Sequence, residues 1–174
     1  DAIAAKLASG AYDTDEPGEA FAARLSQDML AAVGDKHLAV MSGMSPEETD
    51  LSSDTTFQTR INFGVQQVKR LPGNIGLIEL NFFPNLSFGD QVYDRYAAAL
   101  TLVKDTRALI VDERQHMGGE PACIAYFVSY FFDRPKFLVN EIRNRRAPTE
   151  SYYTTETPKG PRYGESRPMI VLLP

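Results

Sequence analysis

From residue 75 onward, short apolar segments alternate with helical ones, and this alternation constrains the fold more than any other feature of the sequence. The apolar segments Ile75–Leu80, Ala108–Val111 and Met169–Leu173 have the length of strands. Helical periodicity covers residues 88–104, and a second helix is expected from about residue 121 to 132. Alternating strands and helices are typical of crossover units in a largely parallel sheet. The sequence therefore predicts an α/β chain.

An Ala-rich region precedes these segments. Its helical pattern over residues 1–33 is interrupted between Gly10 and Gly18, which predicts two helices. A short strand is expected over His37–Met41, followed by a polar loop over residues 42–60. We therefore divide the chain into a helical subdomain over residues 1–42, a linker over 43–62 and a core over 63–174.

Two hairpins are expected within the core. The tripeptide Pro72-Gly73-Asn74 joins strand-like residues 64–71 to Ile75–Leu80, and its composition is typical of a tight turn. Residues 137–146 and 151–155 are predicted to form a second pair of strands, in a hairpin-like arm.

Composition excludes several classes of function. The 174 residues carry a formal charge of −5, which argues against a general binder of nucleic acid phosphates. The single cysteine, Cys123, excludes an internal disulfide framework. The two histidines provide few ligands for a metal site. The apolar runs are far shorter than the roughly 20 residues of a membrane span. We expect no nucleic acid, no membrane span, no metal and no cofactor; the oligomeric state stays open.

The segment Val111–Pro121 is the sharpest candidate site. A buried strand ends in polar residues, and Gly118-Gly119 then leads into a helix with Pro121 near its first turn. Glycines allow positive φ and a close approach to the backbone, and the start of a helix suits an anion such as a phosphate, a carboxylate or an oxyanion. The alternative is a tight strand-to-helix turn without chemistry. The spacings of a Walker loop or a dinucleotide fingerprint are missing.

A second candidate is His37, which lies beside Asp35 and Lys36 where the second helix ends. An imidazole there is a candidate general base, and Asp35 could orient it. The alternative is a surface or capping histidine.

The segment after Gly119 is rich in aromatic residues. Tyr126 and Tyr130 belong to an aromatic run that extends to Phe132. A packed core helix is one interpretation. The other is one wall of an apolar substrate or ligand groove, with Tyr126 and Tyr130 facing it.

Together these segments resemble the tail-specific, or carboxy-terminal-processing, serine peptidase family, in particular its branch related to interphotoreceptor retinoid-binding protein. Residues 33–40, Val-Gly-Asp-Lys-His-Leu-Ala-Val, resemble the family's Asp-x-His segment. Residues 106–119, which end in Val-Asp-Glu-Arg-Gln-His-Met-Gly-Gly, resemble its Asp-x-Arg-x-Asn-x-Gly-Gly motif. The stretch 74–83 looks like its first core strand. The two motifs occur in the family's order and spacing.

The resemblance implies a helical N-terminal subdomain followed by the first half of a crotonase- or ClpP-like core of ββα units. It implies hydrolysis of peptide bonds in a peptide or protein substrate by a nucleophilic Ser. Carried over, His37 is the candidate base, and Gly118 and Gly119 are the candidate oxyanion donors. Asp112 and Arg114 would hold the loop, in which His116 replaces the family's Asn.

The chain also departs from the processing peptidases. The family's nucleophile follows the strand that begins here at Pro168, and the sequence ends at Pro174 without it. We therefore expect the chain to be a piece of a longer protein. The PDZ-like insert of these peptidases is missing, as it is in the retinoid-binding relatives. The alternative function is thus an inactive protein that binds a hydrophobic, retinoid- or fatty-acid-like ligand; an interaction domain without a pocket is a third. The resemblance implies an extracytoplasmic location.

Overall fold

The computed structural model describes residues 2–35, 38–43, 51–134 and 136–174. The chain divides into two units, Asp1–Thr49 and Asp50–Pro174. The subdomain boundaries expected from the sequence stay a prediction. In the described part of the chain, no helix combines the length and the apolar character needed to cross a membrane.

Helices α1 (Ala2–Ala8) and α2 (Gly18–Val33) lie in the first unit. The predicted interruption between two helices is confirmed. α2 ends where Gly34 adopts a left-handed backbone with φ of 76°. The two helices are joined by an ion pair between Lys6 Nζ and Asp28 Oδ1, 2.6 Å apart.

The strand predicted over residues 37–41 is not observed. His37 lies outside the described residues, and residues 38–41 have no regular secondary structure. A strand needs a neighbour with which to exchange backbone hydrogen bonds, and the described residues of the first unit contain no strand. The N–H of Val40 donates instead to Oγ of Ser26 on α2, at 2.8 Å.

The described residues of the second unit form six strands and three further α-helices. The strands are β1 (Val65–Leu71), β2 (Ile75–Leu80), β3 (Ala108–Asp112), β4 (Leu138–Ile142), β5 (Glu150–Tyr153) and β6 (Met169–Leu172). The helices are α3 (Thr55–Arg60), α4 (Asp90–Val103) and α5 (Pro121–Val128).

The main sheet has the strand order β1-β2-β3-β6. β1 is antiparallel to β2, whereas the β2–β3 and β3–β6 pairs are parallel. Helices combined with a mixed sheet confirm the α/β (α+β) class. β3 lies in the interior of the sheet, so the residues that follow it leave from the centre of the unit.

The first predicted hairpin is confirmed. Leu71 pairs with Ile75 across the turn. Gly73 and Asn74 both adopt left-handed backbone, with φ of 79° and 58°. Glycine and asparagine tolerate this conformation best, which explains why this tripeptide forms the turn.

Helix α3 lies within the stretch predicted as a loop, so that prediction is wrong for residues 55–60. The carboxylate of Asp54 accepts hydrogen bonds from the N–H groups of Thr56 and Phe57, at 2.8 and 3.1 Å. It thereby caps the helix start. The Asp-Thr-Thr sequence was the available signal, and the polar composition of the stretch obscured it.

The core of the second unit lies between α4, α5 and the main sheet. The helical periodicity predicted over residues 88–104 is confirmed on α4, where the apolar stripe formed by Val92, Tyr96, Leu100 and Val103 is fully buried. The hydrophobic cluster also contains Ile78, Leu80, Leu109, Val111, Phe127, Tyr130 and Phe131. The interpretation of the aromatic run as a packed core helix is therefore confirmed for Phe127 and Tyr130.

The predicted arm is also present, with β4 antiparallel to β5. The guanidinium group of Arg162 links the arm to the end of α5, because this group donates to backbone carbonyls that directly follow α5 and β5. The acceptors are the carbonyl oxygens of Ser129, Phe132, Thr155 and Glu156.

Candidate active site

Residues 113–120, the glycine loop, connect the end of β3 to the start of α5. The loop runs beside the segment that follows β2, where Phe83 and Gly119 form a parallel bridge. The N–H of Phe83 donates to the carbonyl of Gly118 at 3.0 Å, and the N–H of Glu120 donates to the carbonyl of Phe83 at 2.8 Å. The loop is thus held by backbone hydrogen bonds to a segment distant in sequence.

The two glycines are required for different reasons. Gly118 and Gly119 have φ of 108° and 135°, a region that L side chains rarely adopt. A Cβ atom on Gly119 would lie 2.6 Å from the backbone nitrogen of Phe83, and still closer to its carbonyl oxygen. A Cβ atom on Gly118 would meet nothing within 4 Å. Gly119 therefore permits the close approach to Phe83, whereas Gly118 permits only the turn.

The two amides also differ. The N–H of Gly118 donates to Nδ1 of His116 at 3.0 Å. The N–H of Gly119 has no acceptor among the described residues. Of the two glycine amides, only that of Gly119 is therefore open, and the role of either amide as an oxyanion donor stays a prediction.

His116 supports the loop from inside. Its ring packs against that of Phe83, with centroids 4.7 Å apart. Because Nδ1 accepts the Gly118 N–H, the neutral ring carries its proton on Nε2, and this atom is buried without a partner among the described residues. Burial lowers the pKa of His116 below its ordinary value, so the ring favours the neutral form.

Asp112 and Arg114 brace the start of the loop. Arg114 donates from Nε to Oδ1 of Asp112 at 3.0 Å, and from a terminal nitrogen to Oδ2 at 2.8 Å. These hydrogen bonds to Arg114 lower the pKa of the Asp112 carboxyl. The geometry agrees with a supporting position, and the functional assignment of both residues stays a prediction.

A cavity of about 400 Å³ lies beside the glycine loop. We call it the glycine-loop cavity. Its walls are mostly apolar, and its polar groups come from the loop itself. The lining residues are Phe83, Val111, Glu113, His116, Gly118, Gly119, Ile124, Phe127, Val128, Phe131, Met169 and Val171.

Neither Tyr126 nor Tyr130 lines this cavity, and their assignment to a substrate groove stays a prediction. Tyr130 is fully buried, and its hydroxyl donates to the carbonyl of Lys159 at 2.7 Å. Tyr126 lines a separate cavity, of about 520 Å³, between α5 and the arm. Phe127 and Phe131 supply the wall instead, because the helical twist of the segment turns them toward the loop.

Glu113 is a site residue that the sequence analysis missed. It follows β3 directly, its backbone N–H donates to the carbonyl of Leu172 at 2.8 Å, and it lines the glycine-loop cavity. Burial raises the pKa of its carboxyl, and it forms no ion pair with any described residue. The available signal was its position at the carboxyl end of a parallel strand, where sites in α/β sheets commonly lie.

We expect Glu113→Gln to stabilise the protein near pH 7 but not near pH 4. The raised pKa means that ionisation of Glu113 disfavours the folded state, so the wild type loses stability as the pH rises through the folded-state pKa. The amide stays neutral and escapes this loss. Melting temperatures at both pH values measure the effect. Asp105→Asn, at an exposed carboxylate, offers a control for the loss of one negative charge. An identical response of both variants would contradict the prediction.

Two nucleophilic side chains lie near α5, and neither faces the glycine-loop cavity. The Ser52 hydroxyl is buried and donates to Oε1 of Glu120 at 2.8 Å. Burial raises the pKa of the Cys123 thiol to about 12, and its sulfur lies 3.4 Å from the Tyr96 hydroxyl. A thiol with so high a pKa is a poor nucleophile at neutral pH.

The predicted base, His37, and its neighbour Lys36 are not among the described residues. Asp35 is an exposed residue of the first unit. Gly118, Gly119, His116 and Arg114 lie in the glycine loop, and Asp112 is the last residue of β3, directly before it. The roles of His37 and Asp35 stay predictions. Over the ranges that the structure describes, no group of three or more His, Cys, Asp or Glu side chains could hold a metal ion.

No family model matches the sequence. Among solved structures, the chain is similar to a crystal structure of a "putative peptidase" from Parabacteroides merdae, with 19% sequence identity and a TM-score of 0.48. The similarity covers 63% of this chain and 35% of that chain, so the chain spans about a third of the length of that structure. Agreement of this extent establishes neither a shared fold nor a shared activity.

Proposed function

We propose that this chain carries the substrate-binding half of a serine peptidase-type active site. The observation that supports it most is the pairing of an open backbone donor with an apolar cavity. Gly119, whose N–H has no acceptor among the described residues, lines a cavity of about 400 Å³ with mostly apolar walls. A peptide carbonyl could accept from this N–H while the adjoining side chain enters the cavity.

The proposed reaction is acyl transfer. A Ser hydroxyl attacks the peptide carbonyl carbon, and its proton passes to His37, which Asp35 orients. The negative charge that develops on the carbonyl oxygen is stabilised by the N–H of Gly119. Collapse of this intermediate breaks the C–N bond, and the leaving amine takes the proton from His37. Water then hydrolyses the acyl-enzyme. In the tail-specific peptidases that the chain resembles, the Ser follows the strand that corresponds to β6.

The geometry of the loop refines this proposal. The Gly118 N–H is engaged by His116 at 3.0 Å, so of the two glycine amides only that of Gly119 is left to donate to the carbonyl oxygen. His116, Asp112 and Arg114 then act by positioning the loop, because their bonds lie within it. A peptidase of this kind needs a second donor from elsewhere in the protein.

We expect residues 1–174 alone to show no amide hydrolysis. A triad needs a nucleophile within hydrogen-bond reach of its base, and none of the described residues supplies an activated one. The complete gene product should cleave a fluorogenic peptide, react with a fluorophosphonate at one Ser, and lose about a thousandfold in rate on His37→Ala. Cleavage is followed by fluorescence and labelling by mass spectrometry.

Two results would contradict the proposal in different ways. Hydrolysis by residues 1–174 that survives repurification and disappears in His37→Ala would show that the nucleophile lies within them. A folded complete product with neither cleavage nor labelling would remove the peptidase activity. Ser52→Ala is a suitable control, since this buried hydroxyl takes no part in the proposed reaction.

A second candidate is an inactive protein that binds a hydrophobic, retinoid- or fatty-acid-like ligand. The apolar walls of the glycine-loop cavity favour it, because they suit an aliphatic ligand without a peptide backbone. Fluorescence titration with retinol separates the two: binding by a complete product that is not labelled by the fluorophosphonate would favour this candidate. With either candidate we propose an extracytoplasmic location, periplasmic or secreted. Fractionation of cells that express a tagged complete product would test this location.

A further inference from the structure

The polar groups of the glycine-loop cavity limit which ligand it can take. The Gly119 N–H suits any oxygen acceptor, either a carbonyl or a carboxylate. Glu113 also lines the cavity, whose walls are otherwise mostly apolar. A ligand that reaches Gly119 must therefore share the cavity with a carboxyl group.

Among the described residues that line the cavity, no Lys or Arg is present to offset a second negative charge. Among the residues the structure describes, Glu113 forms no ion pair. The nearest guanidinium in sequence, that of Arg114, is bound through two nitrogens to the carboxylate of Asp112. His116 also lines the cavity, but its Nδ1 accepts the Gly118 N–H, which opposes protonation of the ring.

A bound carboxylate would thus meet the Glu113 carboxylate in a partly buried apolar space. Two like charges at close range repel more strongly in such a space than in water, because the surroundings screen them less. A neutral amide or ester carbonyl accepts from Gly119 without this repulsion. The two ligands therefore differ in the repulsion that one negative charge causes. This repulsion does not depend on the apolar group that both ligands present to the cavity.

We infer that the glycine-loop cavity takes a neutral acyl group, as an amide or ester, and rejects a free carboxylate, with Glu113 as the residue that discriminates. This rests on the proposed function, since it assumes that the cavity binds an acyl group beside Gly119. It deepens that function, because it selects internal peptide carbonyls and neutral apolar ligands over free chain ends and fatty acids.

The test compares two probes that share the N-acetyl-leucyl group and differ at the C-terminus, N-acetyl-leucine methylamide, which is neutral, and N-acetyl-leucine, which ends in a carboxylate. Binding to the protein at pH 8, where an ordinary Glu is ionised, is followed by NMR through the amide signal of Gly119. We expect the methylamide to bind about tenfold more tightly than the carboxylate. Glu113→Gln should bring the two affinities within about threefold of each other, mainly by improving that for the carboxylate.

A pair of variants on β6 locates the probes. Val171 lines the cavity, whereas Ile170 on the same strand is exposed and does not line it. Val171→Gln should weaken binding of the methylamide, and Ile170→Gln should leave that binding unchanged.

The outcomes separate the two claims. If neither probe binds, or if Val171→Gln and Ile170→Gln act alike, the acyl site itself fails and the inference falls with it. If both probes bind in the cavity with equal affinity, and Glu113→Gln changes neither, the acyl site stands and the selectivity is wrong.

Discussion

Gly119→Ala is expected to lower the free energy of unfolding by about 3 kcal/mol, through overpacking and backbone strain combined. The new Cβ would lie 2.6 Å from the backbone nitrogen of Phe83 and nearer still to its carbonyl oxygen. Backbone atoms cannot turn aside as a flexible side chain can. The bridge between the glycine loop and Phe83 must therefore open, with loss of the Glu120 N–H bond to the Phe83 carbonyl. Urea unfolding measures the loss, and hydrogen exchange at the amides of Phe83 and Glu120 locates it.

Gly118→Ala is the matched control. The backbone of Gly118 is equally unsuited to a side chain, with φ of 108°, but a Cβ there meets nothing within 4 Å. The cost should be about 1 kcal/mol, from backbone strain alone. Equal losses in the two variants would show that the close approach to Phe83 contributes nothing. Loss of activity in Gly119→Ala would not by itself identify an oxyanion donor, because the substitution also displaces the loop.

Phe127→Ala should destabilise the protein by about 3–5 kcal/mol, as expected for truncation of a buried aromatic residue. Only 3% of Phe127 is exposed, and its ring lies 5.2 Å from those of both Tyr96 and Phe131 between centroids. Phe127 also lines the glycine-loop cavity, so the truncation enlarges it. Denaturant unfolding gives the stability loss. Where the variant remains folded in buffer, it should accept a bulkier acyl probe than the wild type does.

Two further variants control for this effect. Phe127→Leu keeps most of the volume and should cost less than about 1.5 kcal/mol. Leu102→Ala removes a side chain of the same unit that is 62% exposed, and its effect should stay within about 0.5 kcal/mol. A loss for Phe127→Ala no larger than that for Leu102→Ala would exclude Phe127 from the core.

Element type was predictable wherever a local pattern carried it. The alternation at Ile75–Leu80 and the turn residues Gly73 and Asn74 lie within one hairpin, so neighbouring residues contain the whole signal. The same holds for the stripe that ends at Val103 on α4. The strand expected over residues 37–41 failed because a strand depends on a partner, which no local pattern supplies. Helix α3 was missed although its cap at Asp54 is local, since the surrounding polar residues outweighed one capping signal.

The candidate site was predictable in part. Gly118 and Gly119 stand out in the sequence because few other contexts need two glycines between a strand and a helix. Their separate roles could not be predicted from the sequence, since these roles depend on Phe83, which belongs to another segment. Glu113 was passed over in favour of Asp112 for the same reason: adjacent carboxyls in a sequence look alike until their surroundings are known.

The sequence by itself determined the helices and strands of the second unit except α3, because periodicity, caps and turn residues act over a few neighbouring positions. It also determined that a glycine turn follows a buried strand. Only the tertiary structure decided that Phe127 and Phe131, and not Tyr126 and Tyr130, line the cavity beside that turn. It alone decided that the Gly118 amide is engaged while that of Gly119 is open. The first outcome depends on contacts between segments far apart in the chain, which the packing of the sheet and α5 brings together. The second depends on a local bond from Gly118 to His116, which forms in a loop that the distant Phe83 holds in place.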